Sequence, residues 1–425
     1  MTTTPSLTEL MTNPSCMEDY DPNAMSVTQA KRYIQQYLHT VSGQEVLSIH
    51  ASLGRVIASE VVSPCNVPNH NNSAMDGYAF LHTDGTKPLK IIGTAFAGKP
   101  FNGAVSTAEC VRIMTGGVVP TGADTIVMQE RVIVNGDQLT ITELPKLGAN
   151  IRLAGEDLTS GQTVLPCGHV IKPADLGLLA SLGVPHVNVY RRLKVAFFST
   201  GDELVGVGKP LAEGQIYDSN RYTLYGMLQR LGVEISDLGA IPDNPQLLEQ
   251  TLLNAATEHD VVITSGGVSV GEADHMKALL AKHGEVLFWK INMKPGRPLA
   301  YGKIHSTKHS AHYFGLPGNP VATMVTFYQF VRDALLQIMG ATVKPFPCFQ
   351  VVCTEPIKKA QGRTEFQRGL LYVEEGGWRV KPLPNQSSGV LSSMSQANCF
   401  IVLGEEIGQL NTGETVSVQV FEGII

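Results

Sequence analysis

From Lys194 to Gly340 the sequence alternates short apolar runs with amphipathic stretches, and this alternation constrains the fold more than any other feature. KVAFFST (194–200) reads as a buried strand, and DSNRYTLYGMLQRLG (218–232) as an amphipathic helix ending in glycine. Then come VEISDLGAI, the helix NPQLLEQTLLNAATEH, the strand DVVITSGG, the helix EADHMKALLAKHG and the strand VLFWKI. A further strand, HYFGLPG, leads into a long helix over 319–340. Strands joined by helices of roughly 10–20 residues return to one sheet as parallel neighbours, so a doubly wound α/β domain with helices on both faces is expected over 191–341.

The flanks have another texture. The chain of 425 residues exceeds what one core serves, and 43% apolar against 16% charged residues supplies several cores. Forty-two glycines and 24 prolines point to many tight turns. PLKIIGTAF, CVRIMTG, DTIVMQERVIV and QLTITEL predict a β-rich domain over 63–157. Around it, 23–62 and 158–190 read as a discontinuous helical and extended linking domain. Its helices are a Ser26-capped segment, 26–40, and 173–183, which has proline at its start and glycine at its end. FQVVCTEPI, EFQRGLLYV, WRVKPL, NCFIVL and TVSVQVF predict a small C-terminal β-barrel over 342–425, and 1–22 reads as a disordered tail.

Composition excludes several function classes. A net charge of -6 opposes wrapping of nucleic acid. Seven scattered cysteines without a C-x-x-C pair fit a reducing compartment, not a disulfide framework or structural zinc. No apolar run reaches the ~18 residues that span a bilayer, and the polar N-terminus does not read as a signal peptide, so a cytoplasmic location is expected.

In open α/β sheets, ligands bind at the carboxyl ends of the strands. KVAFFST is followed by Gly201-Asp202-Glu203, and DLGAI by Pro242-Asp243-Asn244. VVIT is followed by Ser265-Gly266-Gly267-Val268-Ser269-Val270-Gly271-Glu272-Ala273-Asp274, VLFWKIN by Met293-Lys294-Pro295-Gly296-Arg297-Pro298, and HYFGL by Pro317-Gly318-Asn319-Pro320. The glycine-rich turn can bring backbone N–H groups and a helix N-terminus against an anion; an ordinary βα turn would look similar. It is neither a dinucleotide fingerprint nor a Walker loop. Lys294 and Arg297 flank a rigid turn and suit an oxyanion, as a point charge and a planar fork; a solvated surface turn is the alternative. Asn319 is placed as a helix cap and Pro320 at the first helical position. Asp202, Glu203, Asp243, Glu272 and Asp274 are the carboxylates near such charges, each a helix cap or solvated charge if taken singly, and as a cluster they suggest a hard cation, with Mg2+ the default. Elsewhere NSAMDGYA, RIMTGG and GED, taken alone, read as turns.

Together these strings resemble one family, the molybdopterin molybdenumtransferases (the MoeA and gephyrin E-domain family). The resemblance is carried by SPCNVPNHNNSAMDGYA, VRIMTGGVVPTGADTIVMQE, NIRLAGEDL, FFSTGDEL, GQIYDSN, VVITSGGVSVGEAD, FWKINMKPGRP, GLPGNPVATMVTFYQF and EFQRG, in order from about residue 60 to 370. It implies a molybdopterin-binding α/β domain within an elongated, four-part homodimer whose cleft uses both subunits. The implied reaction inserts molybdenum from molybdate into adenylylated molybdopterin and releases AMP, with Mg2+. The functional positions implied are Asp76, Thr115, Asp157, Glu203, Asp243, Asp274, Lys290, Lys294 and Arg368, with Asp76 and Thr115 facing the cleft from the partner subunit. Glu203, Asp243 and Asp274 would serve the metal or position water. Ser265, Gly266, Gly267, Ser269, Gly271, Lys294, Gly296, Arg297, Pro317, Gly318 and Asn319 would hold the ligand.

The sequence departs from the family pattern at Arg297, where lysine is frequent, at Leu153 and Ala154, where arginines occur, and at Ala322 in place of serine. Two other readings stay open. A molybdopterin adenylyltransferase would be a single α/β domain, whereas this chain extends to both sides of one. A gephyrin-like scaffold would carry a second α/β domain and a long linker upstream. Transfer contacts with molybdopterin adenylyltransferase and with molybdoenzymes accompany the first reading.

Overall fold

The computed structural model of the protein describes residues 24–267, 273–306, 308–374 and 376–421, without the side chains of 273–275, 277 and 288. The expected tail, Ser269, Gly271 and the side chain of Asp274 therefore lie outside the described residues. The chain divides into two compact units, one of Val46–Leu53 with Ile57–Asn188, the other of the chain up to Glu45, Gly54–Val56 and Val189 onward.

The first unit is built on a six-stranded sheet in the order Thr125–Met128, Gly77–Phe80, Glu109–Ile113, Leu89–Ala95, Gln138–Ile141, Val132–Asn135. Side chains alternate across a strand, and here both faces are dry. Tyr78 and Phe80 pack with Leu89, Cys110, Val127 and Leu139, whereas Ala79 faces Ala95, Val111, Ile113 and Ile126. The helix Pro173–Ser181 starts on its proline, whose missing N–H costs nothing in the first turn.

In the second unit the helix Val27–Tyr37 opens on a reciprocal capping box between Ser26 and Gln29. The α/β domain follows, with β1 (Lys194–Thr200), α1 (Ser219–Leu231), β2 (Glu234–Ile241), α2 (Pro245–Glu258), β3 (Val261–Ser265), α3 (Ala273–His283), β4 (Gly284–Lys290), β5 (Pro298–His305) and β6 (Ser310–Leu316). The strand order is β2-β1-β3-β6-β5-β4. β1 is parallel to β2 and β3, and β3 to β6, while β5 runs antiparallel to both β6 and β4. One face packs Ala196, Phe198, Val262 and Tyr313 under Leu248 and Leu252 of α2 and Leu280 of α3.

This corrects the all-parallel expectation. PLAYGKIH forms a sixth strand that the sequence reading missed, since it follows KPGRP directly and Gly302 interrupts its apolar run. Two reversals in succession leave β4 pointing the same way as β6, so its carboxyl end still reaches the common edge. The helix expected over 319–340 is likewise present, but opens into a π turn at Phe327–Val331 between α4 (Pro320–Thr326) and α5 (Arg332–Ile338).

The C-terminal strands are β7 (Cys348–Cys353), β8 (Thr364–Glu374), β9 (Gly377–Pro382), β10 (Cys399–Leu403) and β11 (Thr415–Val420). They pair in the cycle β8-β9-β7-β11-β10 and back to β8, a closed five-stranded barrel. Closure removes exposed sheet edges, and Val351, Cys353, Leu371, Val380, Ile401 and Val418 fill the interior. Among the described residues no helix is long and apolar enough to cross a membrane.

A Cβ on Gly302 would lie 2.0 Å from the Glu285 carbonyl oxygen across the β4–β5 ladder. Gly302→Ala is expected to cost about 2–4 kcal/mol through forced separation of the strands. Urea unfolding checks this, and an unchanged midpoint would contradict it.

Candidate functional site

The connection between β4 and β5 brings a charged turn to the carboxyl edge. Lys290 lies opposite Pro298 in the ladder, so residues 291–297 make the crossing, closed by an Ile291 N–H bond to the Arg297 carbonyl at 2.8 Å. Met293 and Lys294 then pair in parallel with Thr364 and Glu365 at the start of β8. The Asn292 amide donates to the Gly362 carbonyl at 2.6 Å, and the Thr364 N–H returns a bond to Asn292 at 3.1 Å. The Lys294 ammonium stands 3.6 Å from the buried Glu365 carboxylate, which also accepts from the Gln367 side chain at 2.8 Å. An α/β loop is thereby sewn to the barrel.

The glycine turn after β3 needs its glycine. Gly266 has φ +92°, and a Cβ there would meet the Thr200 carbonyl oxygen at 2.7 Å. At the head of α4, Asn319 occupies the cap position, but its side chain makes no capping bond. The barrel intervenes instead, since the Val321 N–H donates to the Ser388 carbonyl at 3.1 Å.

These loops enclose two adjoining cavities. The larger, about 730 Å3, is lined by Lys294, Gly296 and Arg297, by Pro317, and by Arg363, Ser387 and Ser388 from the C-terminal domain. The smaller, about 420 Å3, is lined by Ser265, Gly266 and Gly267 and by Asp218 and Asn220 at the start of α1. Glu203, Gly318 and Asn319 line both.

Other positions singled out in the sequence lie elsewhere. Asp243 is exposed in the loop after β2, where its N–H donates to the Asp202 carboxylate at 3.0 Å, and it lines neither cavity. Lys290 is half-buried at the end of β4 and also lines neither. Arg368 is fully buried. Its guanidinium donates to the Ser393 hydroxyl at 3.1 Å and to the carbonyls of Asn385 and Ser387 at 3.1 and 3.0 Å. The Gln386 side chain bonds both its backbone N–H and its carbonyl. Burial pushes the Arg368 guanidinium down to about 10. Arg368 thus shapes the 385–388 segment, while the barrel cation that reaches the cavity is Arg363. The sequence reading passed over Arg363, although an arginine between a glycine turn and a strand start was the available signal.

Asp76, Thr115 and Asp157 belong to the other compact unit, and all three are exposed. Asp76 accepts from both the N–H and the hydroxyl of Thr115, each at 2.7 Å. Those bonds, the backbone one first, hold its carboxyl below the usual carboxylate range. Asp157 donates its N–H to the Val67 carbonyl at 3.0 Å. Among the described residues, no three His, Cys, Asp or Glu side chains cluster closely enough to hold a metal by themselves.

A glycine turn, cations and a carboxylate at the carboxyl edge of a doubly wound sheet are the arrangement of a ligand-binding α/β domain. The sequence comparisons specify which one. Family profiles match in three blocks: MoeA N-terminal region (domain I and II) at 25–183, probable molybdopterin binding domain at 196–337, and MoeA C-terminal region (domain IV) at 350–421. The molybdopterin molybdenumtransferase of Haemophilus influenzae is 45% identical over 94% of this chain and 100% of that protein. That of a Nostoc species is 35% identical over 88% of each. The crystal structure of a molybdopterin biosynthesis MoeA protein from Pyrococcus horikoshii superposes with a TM-score of 0.81 at 28% identity, covering 94% of this chain and 100% of that one. The chain belongs to the molybdopterin molybdenumtransferases, enzymes of molybdenum cofactor biosynthesis.

Arg368→Met keeps much of the buried stem but leaves two carbonyls without their donor, a loss of about 2–3 kcal/mol. Hydrogen exchange should quicken at 385–388, and unchanged protection there would contradict the clamp. Thr115→Val retains the backbone bond to Asp76 but deletes the hydroxyl. The Asp76 pKa should rise towards its ordinary value in an NMR titration, and an unmoved titration would show that the hydroxyl contributes nothing.

Proposed function

We propose that the chain inserts molybdenum from molybdate into adenylylated molybdopterin, with hydrolysis of the adenylate to release AMP and molybdenum cofactor. The observation that carries this reading is the grouping of Lys294, Arg297 and Arg363 in one cavity beside a second cavity walled by the glycine turn, with Glu203 common to both. A substrate with a pyrophosphate link beside a molybdate oxyanion brings several negative charges together. Lysine meets them as a compact charge and arginine as a planar fork. In the hydrolysis, water adds to the adenylyl phosphorus and the bridging P–O bond breaks, leaving AMP and the molybdopterin phosphate. Such chemistry is carried chiefly by positioned charges and an oriented water.

A magnesium ion fits the donor set. Mg2+ is commonly held by one or two carboxylates together with substrate phosphates and waters, so a protein cage of three ligands is not required. Glu203 on the shared wall would hold it, with Asp243 in the loop after β2 and Asp274 in the first turn of α3 as further carboxylates. When bound, it would neutralise charge on the phosphate oxygens. Lys290 adds a cation at the end of β4, and Arg368 acts through the loop it clamps. In this reading the protein works as a cytoplasmic homodimer, and Asp76, Thr115 and Asp157 serve the cleft, the first two from the partner subunit. Its substrate would arrive from molybdopterin adenylyltransferase, and its product would pass to molybdoenzymes.

Purified protein given adenylylated molybdopterin, molybdate and Mg2+ should release AMP only when molybdate is present. Glu203→Gln and Lys294→Ala should each slow release by about 100-fold. If folded protein released no AMP but attached AMP to molybdopterin from ATP, the adenylyltransferase reading would replace this one.

A further inference from the structure

We propose that Asp218 and Asn220, at the head of α1, form a subsite that recognises a heterocycle edge with two adjacent N–H donors, the aminopyrimidinone edge of a pterin. The inference rests on reading the cavities as a molybdopterin site, and it assigns one part of the substrate to one wall.

Asp218 is the N-cap of α1 and is 3% exposed. Its Oδ1 accepts from the Arg221 N–H at 3.2 Å and the Ser199 hydroxyl at 3.0 Å, which completes the cap. Its Oδ2 is buried with no hydrogen-bond partner among the described residues. Asn220 is 9% exposed, and its amide nitrogen is committed twice, to the Ser265 hydroxyl and the Gly318 carbonyl, each at 2.7 Å. Those two bonds fix the orientation of the amide, so the atom left over is again an acceptor, Oδ1, buried without a partner. Both residues line the 420 Å3 cavity.

A buried polar atom without a partner costs about 1–3 kcal/mol, and native proteins keep few of them. Here two of the same kind belong to residues two apart in sequence that both line one cavity. Burial also pushes the Asp218 carboxyl above the ordinary carboxylate range despite its two bonds, as suits a carboxylate short of donors. A ligand that meets these two oxygens must supply hydrogens. A pterin offers its 2-amino group and the neighbouring ring N–H, donor beside donor, and pairing with a carboxylate is charge-assisted. The adenine edge offers an amino group beside a ring acceptor, which would set lone pair against lone pair here. The pattern assigns the pterin to this wall and leaves the adenylyl group outside it.

Asp218→Asn is the informative variant. It keeps an oxygen for Arg221 and Ser199 but replaces the unpartnered acceptor with an amino donor. Fluorescence titration with 6-hydroxymethylpterin should show binding weakened by about tenfold or more relative to wild type. AMP binding should stay within about twofold and thermal stability nearly unchanged, because asparagine is an equally good cap. Asp218→Ala, which loses the cap as well, should lower both the melting temperature and pterin affinity. Equal pterin binding by wild type and Asp218→Asn would overturn the proposal, as would absence of binding to wild type. So would a loss that falls on AMP or on Mg2+ instead. AMP release by the wild type, measured in parallel, reads the reaction independently. Release with an unaltered KM in Asp218→Asn removes the subsite and leaves the reaction standing, whereas no release removes the reaction itself.

Discussion

Strand ends can be gathered at one edge only when the strands run the same way, and one reversed strand makes this possible here at short range. Joining β4 to a parallel neighbour would require a crossover of a dozen or more residues. Because β5 runs backwards between β6 and β4, seven residues, 291–297, suffice to cross. That segment stays on the carboxyl edge and is close enough to the barrel for Met293 and Lys294 to pair with β8. The larger cavity, its cations and its link to the C-terminal domain all depend on that reversal.

The barrel contributes mostly through backbone and buried side chains. Arg368 spends its charge on carbonyls of its own domain, and the segment it holds carries Ser387 and Ser388 to the cavity wall. Glu365 likewise sits beneath Lys294 and is steadied by Gln367. A buried arginine and a buried carboxylate are costly to desolvate; three guanidinium bonds hold Arg368 in place, and the Gln367 amide and Lys294 ammonium meet Glu365. An exposed lysine gains from this, because its counter-charge cannot wander.

Much of this arrangement was legible in the sequence because it depends on local chemistry. Ser26 announces a helix cap, and a glycine pair behind an apolar run announces a tight turn after β3. KPGRP marks a rigid cationic loop wherever the sheet carries it. What was hidden depends on pairing at a distance. β5 has no clear local signature because its identity as a strand comes from two neighbours and from Gly302, whose missing side chain lets Glu285 approach. The glycine turn before Arg363 hinted at a loop position, but nothing local shows that Arg368, five residues on, is buried. Only the strand register decides it: Gly369 and Leu371 face the barrel interior, so Arg368 turns to the opposite face and is buried under the 385–393 segment, while Arg363 reaches the cavity. Asn319 shows the same limit, since its capping chemistry was sound until a carbonyl from another domain took over. The unpartnered oxygens of Asp218 and Asn220 could not be foreseen either, being defined by which donors fail to arrive. The family resemblance supplied what local chemistry did not, in naming Asp76 and Thr115, which taken alone read as turns.

The first turn of α4 has a consequence for how these domains can be exchanged. Pro320 brings no N–H, the Thr323 N–H is taken by Asn319, and that of Val321 by Ser388 of the C-terminal domain. A helix start that elsewhere is finished by its own cap is finished here by a neighbour encoded far downstream. The boundary after the long helix therefore divides the chain but not the site. A graft that moved the α/β domain alone onto another scaffold would carry over the strands and the glycine turn. It would leave behind one wall of the larger cavity and the bond that closes the helix. Recombination of such modules is constrained to keep the two together, and an insertion is better tolerated in the barrel's outer loops than at the junction that looks like a linker.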